Sequence, residues 1–182
     1  GSNNDQLYGQ AGDDTLSGDA NNDYLEGGDG DASLAGGDNN DQLYGQAGKD
    51  TLSGNIGNDY LEGGDSEDQL YGNEGNDYLY GQNGKDTIDG GIGNDNLDGG
   101  ADSDLMSGGN DNDRLYGQAG SDTLEGNSGN DLLSGGDDAD ILKGQAGVDY
   151  LEGGNGNDSL DGGDNDDLLY GNADNDILSG GN

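Results

Sequence analysis

Gly90-Gly91-Ile92-Gly93-Asn94-Asp95-Asn96-Leu97-Asp98 is a nine-residue pattern that the chain repeats in both directions without insertion or deletion. Counting outward from Asp95, aspartate stands at every ninth residue from Asp5 to Asp176, and Ala32 alone interrupts the 20 positions. Two residues after each comes an aliphatic side chain, Leu in 18 units with Ile88 and Met106 as the exceptions. Two residues further on is a glycine, in all 20 units. Numbered 1 to 9 from that glycine, the unit reads G-(G/Q/N)-x-(G/N/D)-x-D-x-L-x, with Asp95 at position 6 and Leu97 at position 8. A helix cannot use this pattern, because nine residues turn through about 900° and throw successive leucines onto opposite faces. Glycine at two or three of every nine positions also removes helix stability.

Each unit reads instead as a six-residue turn and a three-residue strand, as in Thr15-Leu16-Ser17, with Gly18 ending the strand. Side chains alternate along a strand, so Leu16 points one way and Thr15 and Ser17 the other. One leucine per strand is buried only if another strand's leucine faces it. Two units per turn of a coil achieve this: an 18-residue rung with two short parallel strands and two glycine-rich loops. Twenty units give about ten rungs, roughly 45–50 Å of solenoid at ~4.8 Å per strand. The expectation is an all-β solenoid over residues 1–182 as a single array. Position 4 is Gly in 11 units, Asn in four and Asp in four, with Ser66 the misfit. These residue types tolerate positive φ, so position 4 is expected to be left-handed in every loop.

The 182 residues include 42 glycines and 41 Asp or Glu against 4 Lys or Arg, a formal charge of −37. With 26% hydrophobic residues a large packed core is excluded. Low hydrophobicity with high net charge is the composition of a disordered chain unless something neutralises the charge. The charge excludes nucleic acid and anionic membrane as partners, since both need positive groups. Without cysteine or histidine there are no disulfides, zinc or haem sites, or usual nucleophile–base pairs. No apolar run approaches the ~20 residues of a membrane span, and no signal peptide is recognisable. The acids are identical and repeated, with no unique pair and no pocket-forming insertion, so no enzyme is expected.

The spacing places an aspartate at the end of each loop. Loops 18 residues apart share an edge, so one edge carries Asp5, Asp23, Asp41, Asp59, Asp77, Asp95, Asp113, Asp131, Asp149 and Asp167. The other carries Asp14, Asp50, Asp68, Asp86, Asp104, Asp122, Asp140, Asp158 and Asp176. Carboxylates stacked at ~5 Å repel, and a hard dication between loops turns the repulsion into attraction. Calcium takes 6–8 oxygen ligands from carboxylates and carbonyls, and magnesium, reluctant to lose water, suits a flexible carbonyl cage less well. Ten loops on each edge leave nine gaps per edge, hence at most 18 ions, whose +36 would offset the −37. Other acids, such as Glu26, Glu62 and Asp161, read as solvated.

The unit resembles the RTX nonapeptide, the haemolysin-type calcium-binding repeat G-G-x-G-x-D-x-U-x, over the whole chain. Gly90–Asp98 and Gly153-Gly154-Asn155-Gly156-Asn157-Asp158-Ser159-Leu160-Asp161 fit it fully. The resemblance implies a right-handed parallel β-roll with calcium between loops, held by the loop aspartates and backbone carbonyls. It implies an extracellular module of the kind found in Gram-negative toxins, proteases, lipases, epimerases and adhesins exported by type I secretion. Such arrays stay unfolded in the low-calcium cytosol and fold outside. Ten units depart from the family by carrying Gln, Asn or Asp at position 2, and Ala32 removes one carboxylate. The family's C-terminal aromatic flank and secretion signal do not appear, and the last unit stops at Asn182, so an excised or designed array is expected.

The tyrosines lie outside the calcium pattern. Rung parity puts Tyr8, Tyr24, Tyr44, Tyr60, Tyr78, Tyr80, Tyr116, Tyr150 and Tyr170 on one sheet and Tyr71 alone on the other. Tyr8, Tyr44, Tyr80 and Tyr116 should share an outer column with Glu26, Glu62 and Asp98 between them, while Tyr24 and Tyr60 occupy the partner column. Strand propensity and cross-strand packing account for such a pattern. The rival reading is a binding module in which this face self-associates or stacks on sugar rings. Thr15, Thr51, Thr87 and Thr123 recur on the second sheet every second rung, too sparsely for an ice-binding row.

Overall fold

The computed structural model describes residues 1–182, and every regular element in it is a strand. Twenty strands run from β1 (Gln6–Ala11) and β2 (Thr15–Ala20) to β19 (Leu168–Ala173) and β20 (Ile177–Ser179). The odd-numbered strands form one ten-stranded sheet and the even-numbered strands the other, each in chain order. All pairs are parallel and offset by 18 residues, as Leu79↔Leu97↔Leu115 shows. The chain therefore climbs as a flat coil of ten rungs, with both sheets formed by pairing each strand to the one two places on.

The ladder is longer than three residues. Strands such as β2 span positions 7, 8, 9, 1, 2 and 3, so pairing continues past the position-1 glycine and around the bend. Only positions 4 to 6 lie outside it. The glycine does not end the strand because identical rungs stack in register. A bend that would break a flat sheet is copied by the rung above, and backbone pairing survives it.

Between the sheets the position-8 side chains form one continuous apolar cluster from Leu16 to Leu160, with Ala32 added from a loop. Leu25 to Leu160 are essentially inaccessible, Ile88 and Met106 included, while Leu7 and Leu169 in the end rungs are only partly covered. Each rung contributes two leucine-type side chains and no second layer. Position 8 is thus the whole core, which reconciles 26% hydrophobic content with a packed interior.

Leu97→Ala is expected to cost ~2–5 kcal/mol, the usual range for a buried leucine truncation. Because each rung touches only its neighbours, hydrogen exchange should accelerate around Leu79, Leu97 and Leu115 and stay protected in distant rungs. Uniform loss from end to end would show one indivisible cooperative unit instead.

Candidate metal centre

Positions 4 to 6 link one sheet to the other, and stacking aligns these links into two edges. Position 1 never varies for a steric reason rather than a conformational one. At Gly45, where φ is not left-handed, a Cβ would lie 2.5 Å from Asp50 Oδ2 and 2.6 Å from the Gly63 carbonyl oxygen. The invariant glycine is the space into which the aspartate of its own loop folds back.

Two positions per unit are left-handed. Position 4 has positive φ in every unit from Gly12 to Asp174, including Ser66 at 90°. Position 2 is left-handed throughout as well, Gln10, Asp19 and Asn55 among them. For a residue with a Cβ this costs of order 1 kcal/mol, which the stacked rungs must offset. The glycines at position 4 lie at φ of 117–147°, beyond the 75–90° of the Asn, Asp and Ser residues that share the position. Glycine loops therefore have a backbone that the substituted loops do not copy.

The nineteen aspartates at position 6 all stand where loop enters strand, on the two edges expected. Fifteen of them, from Asp23 to Asp158, are buried, and only those of the end rungs are more open. Asp77 illustrates the bonding. Its N–H donates to Asp95 Oδ1 at 2.8 Å, and its own Oδ1 accepts from the Asp59 N–H at 2.7 Å. The same bond, at 2.6–3.0 Å, closes 17 gaps, and the gap between Asp14 and Ala32 alone lacks it. Ala32 keeps its own place in the stack by donating its N–H to Asp50 Oδ1 at 2.7 Å.

One oxygen of every carboxylate except those of Asp5 and Asp14 thus accepts from the rung below. The other, Oδ2, is buried without a hydrogen-bond partner in 17 of the aspartates. Carbonyl oxygens are left over on the same edges. The position-4 carbonyls accept no hydrogen bond from the backbone. A Cβ on Gly75 would run into the Gly57 carbonyl oxygen and sit 3.2 Å from Asp77 Oδ1, so carbonyl and carboxylate oxygens converge beside that glycine. Buried oxygens without donors are unstable unless a cation completes them. The set contains only hard oxygen ligands, and no three His, Cys, Asp or Glu side chains meet at one point. Backbone oxygens must therefore supply much of any coordination sphere, which suits a large, geometrically tolerant dication such as calcium.

The electrostatics agree. Burial pushes Asp59, Asp68, Asp77, Asp95 and Asp140 up to about 7, and Asp104 and Asp113 up to about 8. The hydrogen bond from the rung below pulls each one back down, and neighbouring aspartates add a further rise. Without metal, the most strongly raised carboxylates, Asp104 and Asp113, favour the protonated form near neutral pH, so a proton can relieve the charge that a dication would otherwise offset.

A second side-chain ladder lies outside the aspartates. On one edge position 5 is asparagine on eight successive rungs, Asn4 to Asn130. Asn58, Asn76, Asn94, Asn112 and Asn130 each donate a backbone N–H to the side-chain oxygen of the asparagine below at 2.7–3.2 Å. The opposite edge is irregular there, with Lys49 paired to Glu67 at 2.5 Å. The asparagine ladder becomes visible in the sequence only when alternate units are read separately, at a spacing of 18.

Compared with family models, the chain matches the RTX calcium-binding nonapeptide repeat at residues 1–34, 26–61, 35–70, 62–97, 89–124, 98–133, 116–151, 125–160 and 152–182. These overlapping matches span the whole chain, which belongs to that family. A comparison with curated proteins gave no match.

A pH dependence follows from the raised aspartates. Their folded-state values exceed the unfolded value near 3.9, so the metal-free coil binds more protons than the unfolded chain. Its stability is greatest below that value and is lost as pH rises through about 6 to 8. With excess chelator, the β signal in circular dichroism should grow as pH falls from 8.5 to 4.5. A chelated chain that is equally folded at pH 8.5 would contradict this.

Proposed function

We propose that this RTX-family chain is a calcium-switched structural array working outside the cell, its ions held between stacked loops by the nineteen position-6 aspartates and neighbouring carbonyls. The observation that carries the reading is the two columns of buried carboxylate oxygens with no donor, 17 in all, on the same edges as position-4 carbonyls that accept no backbone hydrogen bond. When bound, calcium supplies positive charge between rungs. The aspartates orient that charge, the position-1 glycines keep the carboxylates inside, and the leucine column excludes water from beneath them. Residues 1–182 act as one array of twenty units.

Of the 18 gaps, the two beside Ala32 have a carboxylate from one side only. Sixteen gaps are thus fully furnished and two are weak. The extracellular setting is supported by the family, which is typical of secreted bacterial proteins. It is supported also by affinity, since extracellular calcium modules bind at about 10⁻⁴–10⁻³ M, a range that leaves the sites empty in the cytosol. A structural rather than catalytic role is supported by the surface. Its depressions are shallow, and one of ≈ 470 Å³ around Gln118, Ser134, Asp137 and Glu152 has no hydrophobic lining.

Asp77→Ala removes a carboxylate from the gaps toward Asp59 and Asp95. Calorimetric titration should then show up to two fewer ions per chain and a higher calcium midpoint. Ala32→Asp should act in the opposite sense by completing the gaps toward Asp14 and Asp50. Unchanged titrations for both variants would remove the aspartates from the sites.

A further inference from the structure

One strip of the odd-numbered sheet carries chemistry that the calcium edges do not use. Tyr8, Tyr24, Tyr44, Tyr60 and Tyr80 climb five consecutive rungs, alternating between positions 9 and 7. Their ring centroids follow one another at 5.7, 5.3, 5.6 and 5.4 Å, with planes tilted by 36–45°. The Tyr24 and Tyr60 hydroxyls donate to the Glu26 and Glu62 carboxylates on the same rungs, each at 2.9 Å. Gln6 and Gln42 occupy position 7 on the alternate rungs, where they pair with Tyr24 and Tyr60 in register. The strip ends at the Asp98 rung. Tyr116, beyond it, has no ring neighbour, so it is not part of the same surface although it shares the column with Tyr80.

We propose that this strip binds a neutral, β-linked polysaccharide lying along the solenoid axis, with one sugar per rung. The spacing suits such a chain. Rungs rise by ~4.8 Å, close to the advance of an extended β-linked pyranose chain per sugar. Successive sugars in that chain turn over, and successive tyrosines switch columns. The chemistry suits it as well. Aromatic faces receive the apolar faces of sugar rings, while carboxylates and primary amides on adjoining positions bond hydroxyls. The contact between neighbouring rings, and the bonds to Glu26 and Glu62, fix the side chains beforehand and lower the ordering cost of binding.

Charge selects among the other occupants. On these five rungs positions 7 and 9 hold two carboxylates, Glu26 and Glu62, and no cation. An anionic polymer finds nothing to pair with. A second copy would set Glu26 and Glu62 against the same two carboxylates, with no cation on either strip to pair them. A basic polypeptide would meet only two carboxylates over five rungs, too few to hold it by charge.

The proposal rests on the calcium-folded coil, so the test is run at saturating calcium with circular dichroism confirming the fold. A chain that fails to fold there refutes the calcium reading and not this one. The folded chain is electrophoresed through gels containing hydroxyethyl cellulose, glucomannan or xylan, with α-linked dextran as the control. Retardation is expected in at least one β-linked polymer and not in dextran. Tyr44→Ser with Tyr60→Ser should weaken it about tenfold or more, given the usual worth of aromatic contacts, while Tyr71→Ser on the other sheet should not. A readout that needs no variant is tyrosine emission of the wild-type chain, which cellohexaose should change saturably. Absence of retardation in all three polymers, equal retardation of the double variant, or no response to cellohexaose would each overturn the proposal. So would a dimer in sedimentation that the double substitution abolishes, because the strip would then belong to a second copy.

Discussion

Stacked, buried carboxylates are the constraint on which the rest of this molecule depends. Two like charges ~5 Å apart at an effective dielectric near 20 repel by about 3 kcal/mol. Burying one leucine contributes ~1.5–3 kcal/mol. Each unit brings one leucine and one aspartate, so uncompensated charge cancels the only core the fold has. On the proposed reading, the coil stands when something positive enters between the rungs: a dication, or a proton at low pH. Burial first, and neighbouring aspartates after it, raise Asp104 and Asp113 to about 8, so the same carboxylates are also reluctant to stay charged.

The glycines, aspartates and leucines are one device rather than three motifs. Gly45 leaves the space, Asp50 fills it with a carboxylate whose outer oxygen bonds the rung below, and the remaining oxygen stays without a partner. Position 8 then closes the interior from the other side. Such a unit cannot tolerate an added or lost residue, because a shift of one would put leucine outward and turn a position-7 or position-9 side chain, such as Gln42 or Glu62, into the core. The uninterrupted period over 20 units is the sequence-level mark of that requirement.

The fold was legible because the period is strict and the parity argument has few solutions. An apolar side chain once in nine residues must face a partner, and two units per turn provide one. The edges of aspartate and the tyrosine columns follow from the same halving, and the observed register reproduces them. What was not legible depends on atoms the pattern does not show. Strand length was underestimated because glycine usually breaks pairing, whereas identical stacked bends keep it. The left-handed position 2 was hidden because ten units hold Gln, Asn or Asp there, and five of those are glutamine. The division of labour between Oδ1 and Oδ2 has no trace in a one-letter code. Nor has the ring contact that joins Tyr8 to Tyr80 and stops before Tyr116.

On the proposed reading, edges and faces of the coil carry separate chemistry, and of the two only the edges are tied to folding. Small-angle X-ray scattering at pH 7.5 tests that tie most directly, since it reads compaction without assuming any site. In excess chelator an expanded chain is expected, with a radius of gyration near 45 Å, the scaling value for an unfolded chain of this length. Millimolar calcium should collapse it to about 16 Å, the compact value. A chelated chain already near the compact value at that pH would contradict the claim that the rungs cannot stack without a charge between them.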